Sequence, residues 1–165
     1  MELFYLIIEN FNLNDRLKYE KQHNASRCLL EYVAKNIYNI KNTEIEIINK
    51  KPKFKYSNIN FSISHCENII CICFDNNPVG FDIERIRPRN YRKISQRMNF
   101  KMEEDSLNEF YRCWTIYEAG VKLQKPVKSM FSSIFLDKYI ISAVSNETAD
   151  INLNITQIKL DKITF

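Results

Sequence analysis

Glycine is almost absent from this sequence, since Gly80 and Gly120 are the only two among 165 residues. Glycine is used where the backbone approaches another segment closely, so each of these positions indicates such an approach. Long apolar runs are also lacking, because none nears the roughly 20 residues that a membrane helix needs. The apolar run LFYLIIE near the N-terminus has neither the basic flank nor the cleavage site of a secretory signal. The sequence therefore predicts a cytoplasmic protein without a membrane segment.

The five cysteines do not indicate a disulfide framework, because their number is odd and they are scattered. Cys71 and Cys73 lie two residues apart in the apolar run IICICF. Alternate residues of a strand share one face, and free cysteine is commonly a small core residue. We therefore expect buried thiols, and we reject a zinc site built from His65, Cys66 and these two cysteines.

Positive charge is concentrated in two segments, although the net charge is only +4. The first is KKPKFK at 50–55, and the second is the arginine-rich stretch at 85–97. Such clusters suit an acidic or phosphate-bearing partner, which includes nucleic acid. A solvated basic surface is the simpler interpretation of the same pattern. Charge alone does not decide between them.

The order of predicted elements repeats about the break DNNP at 75–78. Each half reads as a strand, helical material and further strands, which predicts an α+β fold made of two similar halves, 1–75 and 76–165. Apolar spacing predicts helices over 25–40 and 108–125. Alternation and β-forming residues predict strands over 2–9, 44–48, 58–64, 69–74, 79–84, 131–136, 139–145 and 151–160.

Two acids follow Gly80 within the predicted strand at 79–84. Asp82 and Glu84 are two residues apart, so their side chains point to the same face. Mg²⁺ is held by a few carboxylates together with waters and substrate phosphates, and this pair could form half of such a site. An exposed strand face with two acids is the alternative interpretation.

A second set of polar residues lies on the predicted helix at 108–125. Trp114, Glu118 and Lys122 are spaced i, i+4, i+8, which places them along one stripe. The stripe is either a surface ion pair beside a packed tryptophan or a third carboxylate and a lysine directed at the strand acids. Gly120 in this helix costs about 1 kcal/mol relative to alanine, which favours close approach of another segment or a ligand.

Two further segments carry candidate binding residues. Ser64 and His65 end the predicted strand at 58–64, where the histidine could be structural, a phosphate donor or a general base. Lys51 and Pro52 form a cation on a proline-stiffened turn.

Together these segments resemble the 4'-phosphopantetheinyl transferase superfamily, in particular its Sfp-type branch. The Gly-x-Asp-x-Glu motif matches residues 80–84, and the Trp-Ser/Thr-x-Lys-Glu-Ala-x-x-Lys motif is similar to residues 114–122. The Asn-Ile-Ser-His-Ser segment resembles 62–66, and the Gly-Lys-Pro turn resembles 50–52. Arg27 in ASRCLL is a further match upstream. The motifs occur in the family's order, and four ordered motifs are more specific than any one.

The resemblance implies an enzyme that transfers the 4'-phosphopantetheine arm of coenzyme A to a serine of an acyl or peptidyl carrier protein. It also implies a pseudo-dimer of two α+β halves, each a helix on a mainly antiparallel sheet, with the active site between them. The ligands of Mg²⁺ would be Asp82, Glu84 and Glu118. Glu118 or Lys122 would accept the proton of the carrier-protein serine. The coenzyme A contacts would be Arg27, Lys51, Ser64, His65 and Lys122. A monomer is expected, with no nucleic acid or membrane partner.

The sequence departs from the family pattern at five motif positions, none of which is a predicted metal ligand: Lys50, Ser62, Cys66, Phe81 and Tyr117. Two alternatives stay open at this point. One is a non-catalytic module of the same fold that binds coenzyme A or a carrier protein. The other is a nucleic-acid-binding protein, which would explain the basic segments but gives no reason for acids at 82, 84 and 118.

Overall fold

The structure is a computed structural model that describes residues 1–9, 11–12 and 14–162. The helices are α1 (Asp15–Asn36), α2 (Tyr91–Met98) and α3 (Leu107–Leu123), followed by a short 3-10 helix at Leu160–Lys162. The strands are β1 (Glu2–Ile7), β2 (Ile45–Ile48), β3 (Lys51–Phe54), β4 (Asn60–Cys66), β5 (Ile69–Asp75), β6 (Val79–Arg85), β7 (Ser129–Phe135), β8 (Tyr139–Ser145) and β9 (Asn154–Gln157). In this part of the chain no helix is long and apolar enough to cross a membrane.

Two sheets with the same strand pattern form the fold. In the first, β1 and β4 both pair antiparallel with β5. In the second, β6 and β7 both pair antiparallel with β8. Each half thus has a first strand, a long helix and then a hairpin whose last strand returns beside the first. This confirms the predicted α+β fold of two similar halves.

The C-terminal segment returns to the first sheet. β9 pairs in parallel with β1, with Asn154 opposite Glu2 and Gln157 opposite Tyr5. The division of the chain into 1–75 and 76–165 stays a prediction, and this strand from the second half completes the sheet of the first. Of the strand predicted over 151–160, only Asn154–Gln157 is observed as a strand.

Alternation along the strands creates two apolar layers. One face of the first sheet, with Phe4 and Ile72, packs against α1. The opposite face, with Leu3 and the buried thiols of Cys71 and Cys73, packs against Phe81 and other apolar residues of the second sheet. Because odd-numbered β6 residues point into that layer, the even-numbered ones face the other way, towards α3. The predicted burial of Cys71 and Cys73 is confirmed.

Two sequence predictions were wrong in detail. The first long helix spans Asp15–Asn36 rather than 25–40. It is capped by the Asn14 side chain, which accepts a hydrogen bond from the backbone N–H of Leu17. Its first turns are solvent-exposed, so they carry no apolar periodicity. Lys51 and Pro52 are not a turn but begin strand β3. The turn lies at Asn49 and Lys50, whose φ angles of 51° and 67° suit a two-residue hairpin.

Candidate active site

The contact between β6 and α3 depends on Gly80. A Cβ atom built on Gly80 would lie 1.9 Å from the carbonyl oxygen of Ala119 and 2.9 Å from the backbone nitrogen of Leu123. The φ angle of Gly80 is not positive. Space, rather than backbone conformation, therefore requires glycine here, and α3 lies directly on the strand that carries the two acids. Gly120 is different, because a Cβ there would meet Val127 at an ordinary 3.5 Å, so the close approach of another protein segment predicted for this position is not found. The alternative, close approach of a ligand, stays a prediction.

Asp82 is the centre of the polar cluster. The residue is only 5% exposed. The Ser64 hydroxyl donates to Asp82 Oδ1 at 2.8 Å, and Lys122 Nζ donates to the same oxygen at 2.7 Å and to the Phe81 carbonyl at 3.1 Å. The other carboxylate oxygen, Oδ2, is buried and has no hydrogen-bond partner among the described residues. A buried carboxylate oxygen without a donor is a favourable position for a cation.

Glu84 is close enough to both Asp82 and Glu118 for their charges to act on it. Burial raises the pKa of Glu84, and the negative charges of Asp82 and Glu118 add to the shift. A hydrogen bond from Trp114 and the charge of Arg89 oppose it. The three acids that the sequence singled out therefore share one electrostatic environment, on the face between β6 and α3.

The acids do not by themselves form a closed metal cage. Among residues 1–9, 11–12 and 14–162, no three His, Cys, Asp or Glu side chains are grouped so as to hold a metal ion. Mg²⁺ commonly takes one or two protein carboxylates and completes its shell with waters and substrate phosphates. The buried, free Oδ2 atom of Asp82 fits that requirement as one such carboxylate ligand.

Helix α3 is held firmly by its ends and by an aromatic cluster. The Ser106 side chain accepts from the backbone N–H of Glu109, and Gln124 ends the helix in the left-handed region. The Trp114 ring stacks on Phe110 with ring centres 6.1 Å apart, and the Arg89 guanidinium lies over both rings. The predicted stripe faces the acids of β6. Trp114 donates a hydrogen bond to Glu84, the charge of Glu118 acts on Glu84, and Lys122 donates to Asp82.

Ser64 and His65 end up in different environments, as expected for successive residues of a strand. Ser64 is buried against Asp82. The His65 ring is on the surface, where partial desolvation and the charge of Lys122 lower its pKa, although Asp82 counteracts this. His65 is therefore near the acid cluster and accessible from solvent.

Lys51 and Arg27 do not join the acid cluster. Lys51 is buried, and its Nζ donates to the carbonyl oxygen of Val79 at 2.8 Å. Burial and the charges of two neighbouring lysines lower its pKa to about 8. Arg27 is exposed on α1, a helix that contacts β1 and β5. Lys51 thus contacts β6 through a backbone carbonyl oxygen, whereas Arg27 lies at the surface.

Sequence reasoning missed Glu67, which joins the two halves. Its carboxylate accepts hydrogen bonds from Arg85, Arg87 and the hydroxyl of Tyr139. These donors are 18, 20 and 72 residues away in the chain, so no local sequence pattern predicts the cluster. Two arginines of the basic segment are therefore partly neutralised. Arg92 is likewise paired with Asp105 at 2.8 Å.

Two known proteins match part of the chain. Over 86 residues, 45% of this chain, it is 34% identical to a "Putative 4'-phosphopantetheinyl transferase" of Haemophilus influenzae. Over 90 residues, 48% of this chain, it is 30% identical to the 4'-phosphopantetheinyl transferase gsp of Aneurinibacillus migulanus. The matched segments span 37% and 38% of the lengths of these relatives. No family model matches the chain.

The fold and the matches define a class of protein. Two similar α+β halves carry an acid cluster beside their junction, and both curated relatives bear the name of one enzyme class. These observations confirm the resemblance to the 4'-phosphopantetheinyl transferase superfamily that the four sequence motifs carry.

Proposed function

We propose that the protein is an Sfp-type 4'-phosphopantetheinyl transferase, which moves the phosphopantetheine arm of coenzyme A to a carrier-protein serine and releases adenosine 3',5'-bisphosphate. The supporting observation is the convergence at Asp82. Ser64, Asp82 and Lys122 come from three separate motifs, and one carboxylate oxygen joins them within 2.8 Å. A surface ion pair would not need a buried serine as a third partner.

The three acids would hold Mg²⁺, and the fit rests on their oxygen donors and on the free Oδ2 atom of Asp82. When bound, the ion would supply charge neutralisation at the pyrophosphate of coenzyme A. Ser64 orients the Asp82 carboxylate, since its hydroxyl fixes the oxygen that Lys122 also contacts. Glu84, with its raised pKa, would gain most from a nearby cation, because its burial and its acidic neighbours disfavour the negative charge.

Lys122 has a second role in this scheme. Its side chain is 32% exposed and its Nζ atom contacts Asp82, so a substrate phosphate could share the ammonium group. The serine oxygen of the carrier attacks the β-phosphorus of coenzyme A, and the bond from that phosphorus to the bridging oxygen breaks. Glu118 or Lys122 accepts the serine proton, directly or through a water. Positioning and charge stabilisation would supply most of the catalysis.

His65 and Arg27 are proposed contacts of the coenzyme A phosphates on the strength of the family resemblance. For His65 its accessible position near Lys122 supports the proposal. Lys51 is a proposed phosphate contact on the same ground. Its Nζ donates to the carbonyl oxygen of Val79 and would have to leave that oxygen to reach a phosphate. We propose that the protein works as a cytoplasmic monomer.

Intact mass spectrometry of purified apo carrier proteins tests the function. Each carrier is incubated with the protein, coenzyme A and Mg²⁺, and we expect at least one carrier to gain the mass of one phosphopantetheine arm. Chelation of Mg²⁺ and the variants Glu84→Gln and Glu118→Gln should abolish the gain. Glu104→Gln is a matched control, because it removes an exposed acid outside the cluster.

No mass gain with a broad set of carriers, combined with clear binding of coenzyme A, would contradict the transfer reaction and favour the non-catalytic binding module. Tight, salt-sensitive binding of RNA or DNA without binding of coenzyme A would favour the nucleic-acid alternative.

The basic helix α2 offers a surface for an acidic carrier. Since Arg89 lies over aromatic rings and Arg92 pairs with Asp105, charge reversal of either would also change a contact within the protein. Lys93 and Arg97 are exposed and have no ion-pair partner in the described part of the chain. Reversal of these two charges should raise the carrier KM and reduce its salt dependence, with little change in kcat. Unchanged KM values would refute carrier steering by this helix.

A further inference from the structure

A chain of buried hydroxyl groups connects α3 to the second sheet. Thr115 and Ser142 are both fully buried. Thr115 Oγ1 lies 2.7 Å from Ser142 Oγ, and Ser142 Oγ donates to Ser132 Oγ at 2.9 Å. Ser132 in turn donates to the carbonyl oxygen of Ile141 at 3.2 Å. Thr115 Oγ1 also lies 2.9 Å from the carbonyl oxygen of Tyr111, one turn earlier in its own helix, and either hydroxyl of the Thr115–Ser142 pair could be the donor. When Thr115 donates to Ser142, the hydroxyl protons run in one direction from Thr115 to the carbonyl oxygen of Ile141.

The chain of hydroxyl groups lies on the same face of the second sheet as Asp82. Ser142 is the direct cross-strand partner of Asp82, so both side chains lie on the face towards α3. Thr115 is three residues before Glu118, which places the two on neighbouring positions of the helix surface. The contact between Gly80 and the Ala119 carbonyl follows immediately after Glu118. Glu118 is therefore bracketed by two fixed points.

Two fixed points along a helix define its rotation about its own axis as well as its distance from the sheet. Gly80 sets the distance, because the helix backbone occupies the space that a Cβ atom on residue 80 would need. The Thr115 to Ser142 hydrogen bond is directional, so it restricts rotation. A helix turns by about 100° per residue, and a rotation of a fraction of that angle would move Glu118 away from Asp82 and Glu84.

We infer that Thr115 and Ser142 are positioning residues, whose hydrogen bond holds Glu118 in register with Asp82 and Glu84 and so sets the affinity of the acid cluster for a divalent cation. The inference deepens the proposed function and rests on the same site. A purely structural role of the two hydroxyls would affect unfolding but leave cation affinity unchanged.

The test compares Thr115→Val, which has the same shape without the hydroxyl, with Thr115→Ser, which keeps it. The affinity for Mn²⁺ in the presence of coenzyme A is measured by electron paramagnetic resonance, the half-saturating Mg²⁺ concentration is measured in the transfer assay, and the thermal midpoint is recorded for each variant. Ser142→Ala supplies a second variant if Thr115→Val does not fold. Ser95→Ala is the control, because it removes a buried hydroxyl that bonds within α2.

We expect Thr115→Val and Ser142→Ala to weaken Mn²⁺ binding and to raise the half-saturating Mg²⁺ concentration roughly five- to tenfold, the factor that one lost hydrogen bond represents. Thr115→Ser and Ser95→Ala should bind Mn²⁺ like the wild type. A lower thermal midpoint with unchanged Mn²⁺ affinity in both hydroxyl-free variants would overturn the inference. Because Mn²⁺ binding is measured without a carrier, failure of transfer in the wild type would refute the proposed function while the positioning role is still tested.

Discussion

Substitution of Gly80 by alanine tests how closely α3 must approach β6. The new Cβ would lie 1.9 Å from the Ala119 carbonyl oxygen, a distance that carbon and oxygen atoms cannot share. The obstructing atoms belong to helix backbone, so no side-chain rotation relieves the clash, and the whole helix must shift. Overpacking of this kind costs about 1–3 kcal/mol, and we expect the upper end because the obstacle is backbone. For a chain of this size that lowers the thermal midpoint by about 6–12 °C.

Gly120→Ala is the matched control in the same helix. Its Cβ would meet only the Val127 side chain, at 3.5 Å. Since alanine favours the helix over glycine by up to about 1 kcal/mol, this variant should be equal to or more stable than the wild type. Urea and thermal unfolding of the two variants give the comparison. Equal stabilities for Gly80→Ala and the wild type, or a larger loss for Gly120→Ala, would refute the close contact of β6 with α3.

The remaining predictions concern three charged groups. Lys122→Met leaves Asp82 without its cation and should cost about 1–2 kcal/mol in urea unfolding, a value reduced by the partial exposure of Lys122; an unchanged stability would contradict the ion pair. Burial would raise the pKa of Glu67, but the hydrogen bonds and charges of its arginine and tyrosine partners outweigh burial, so the pKa is lowered. The stability advantage of the wild type over Glu67→Gln should therefore be full near neutral pH and vanish as pH falls through that lowered pKa. A difference in stability that does not depend on pH would contradict this role of Glu67. The folded-state pKa of Lys51 is about 8, below its ordinary 10.5, so the wild type should gain stability relative to Lys51→Met as pH rises between these values, and a flat or falling difference would contradict the buried ammonium group.

The strands and their faces were predictable because successive side chains of a strand point to opposite faces of the sheet. Val79, Phe81 and Ile83 are buried between the sheets, so Asp82 and Glu84 necessarily face the other side. The helix period predicted the stripe that carries Glu118 in the same way. The sequence therefore indicated which side chains share a face, and the structure supplied the distance between the faces.

The parts that the sequence did not predict depend on contacts between distant segments. The first turns of α1 are exposed, so only the Asn14 cap marks where the helix begins. The hydrogen bond from Lys51 to Val79 crosses from one half to the other, and the pairing of β9 with β1 links the two ends of the described chain. The junction at Glu67 likewise requires the folded arrangement. None of these contacts leaves a periodic signal in the sequence.

A crystal structure with coenzyme A and Mn²⁺, with anomalous scattering data to locate the metal, tests the central claim most directly. The account predicts one manganese peak at the Oδ2 side of Asp82, with Glu84 or Glu118 and the coenzyme A pyrophosphate as its other neighbours. A coenzyme A molecule bound away from β6 and α3, or a manganese peak that contacts none of the three acids, would contradict the assignment of this cluster as the active site.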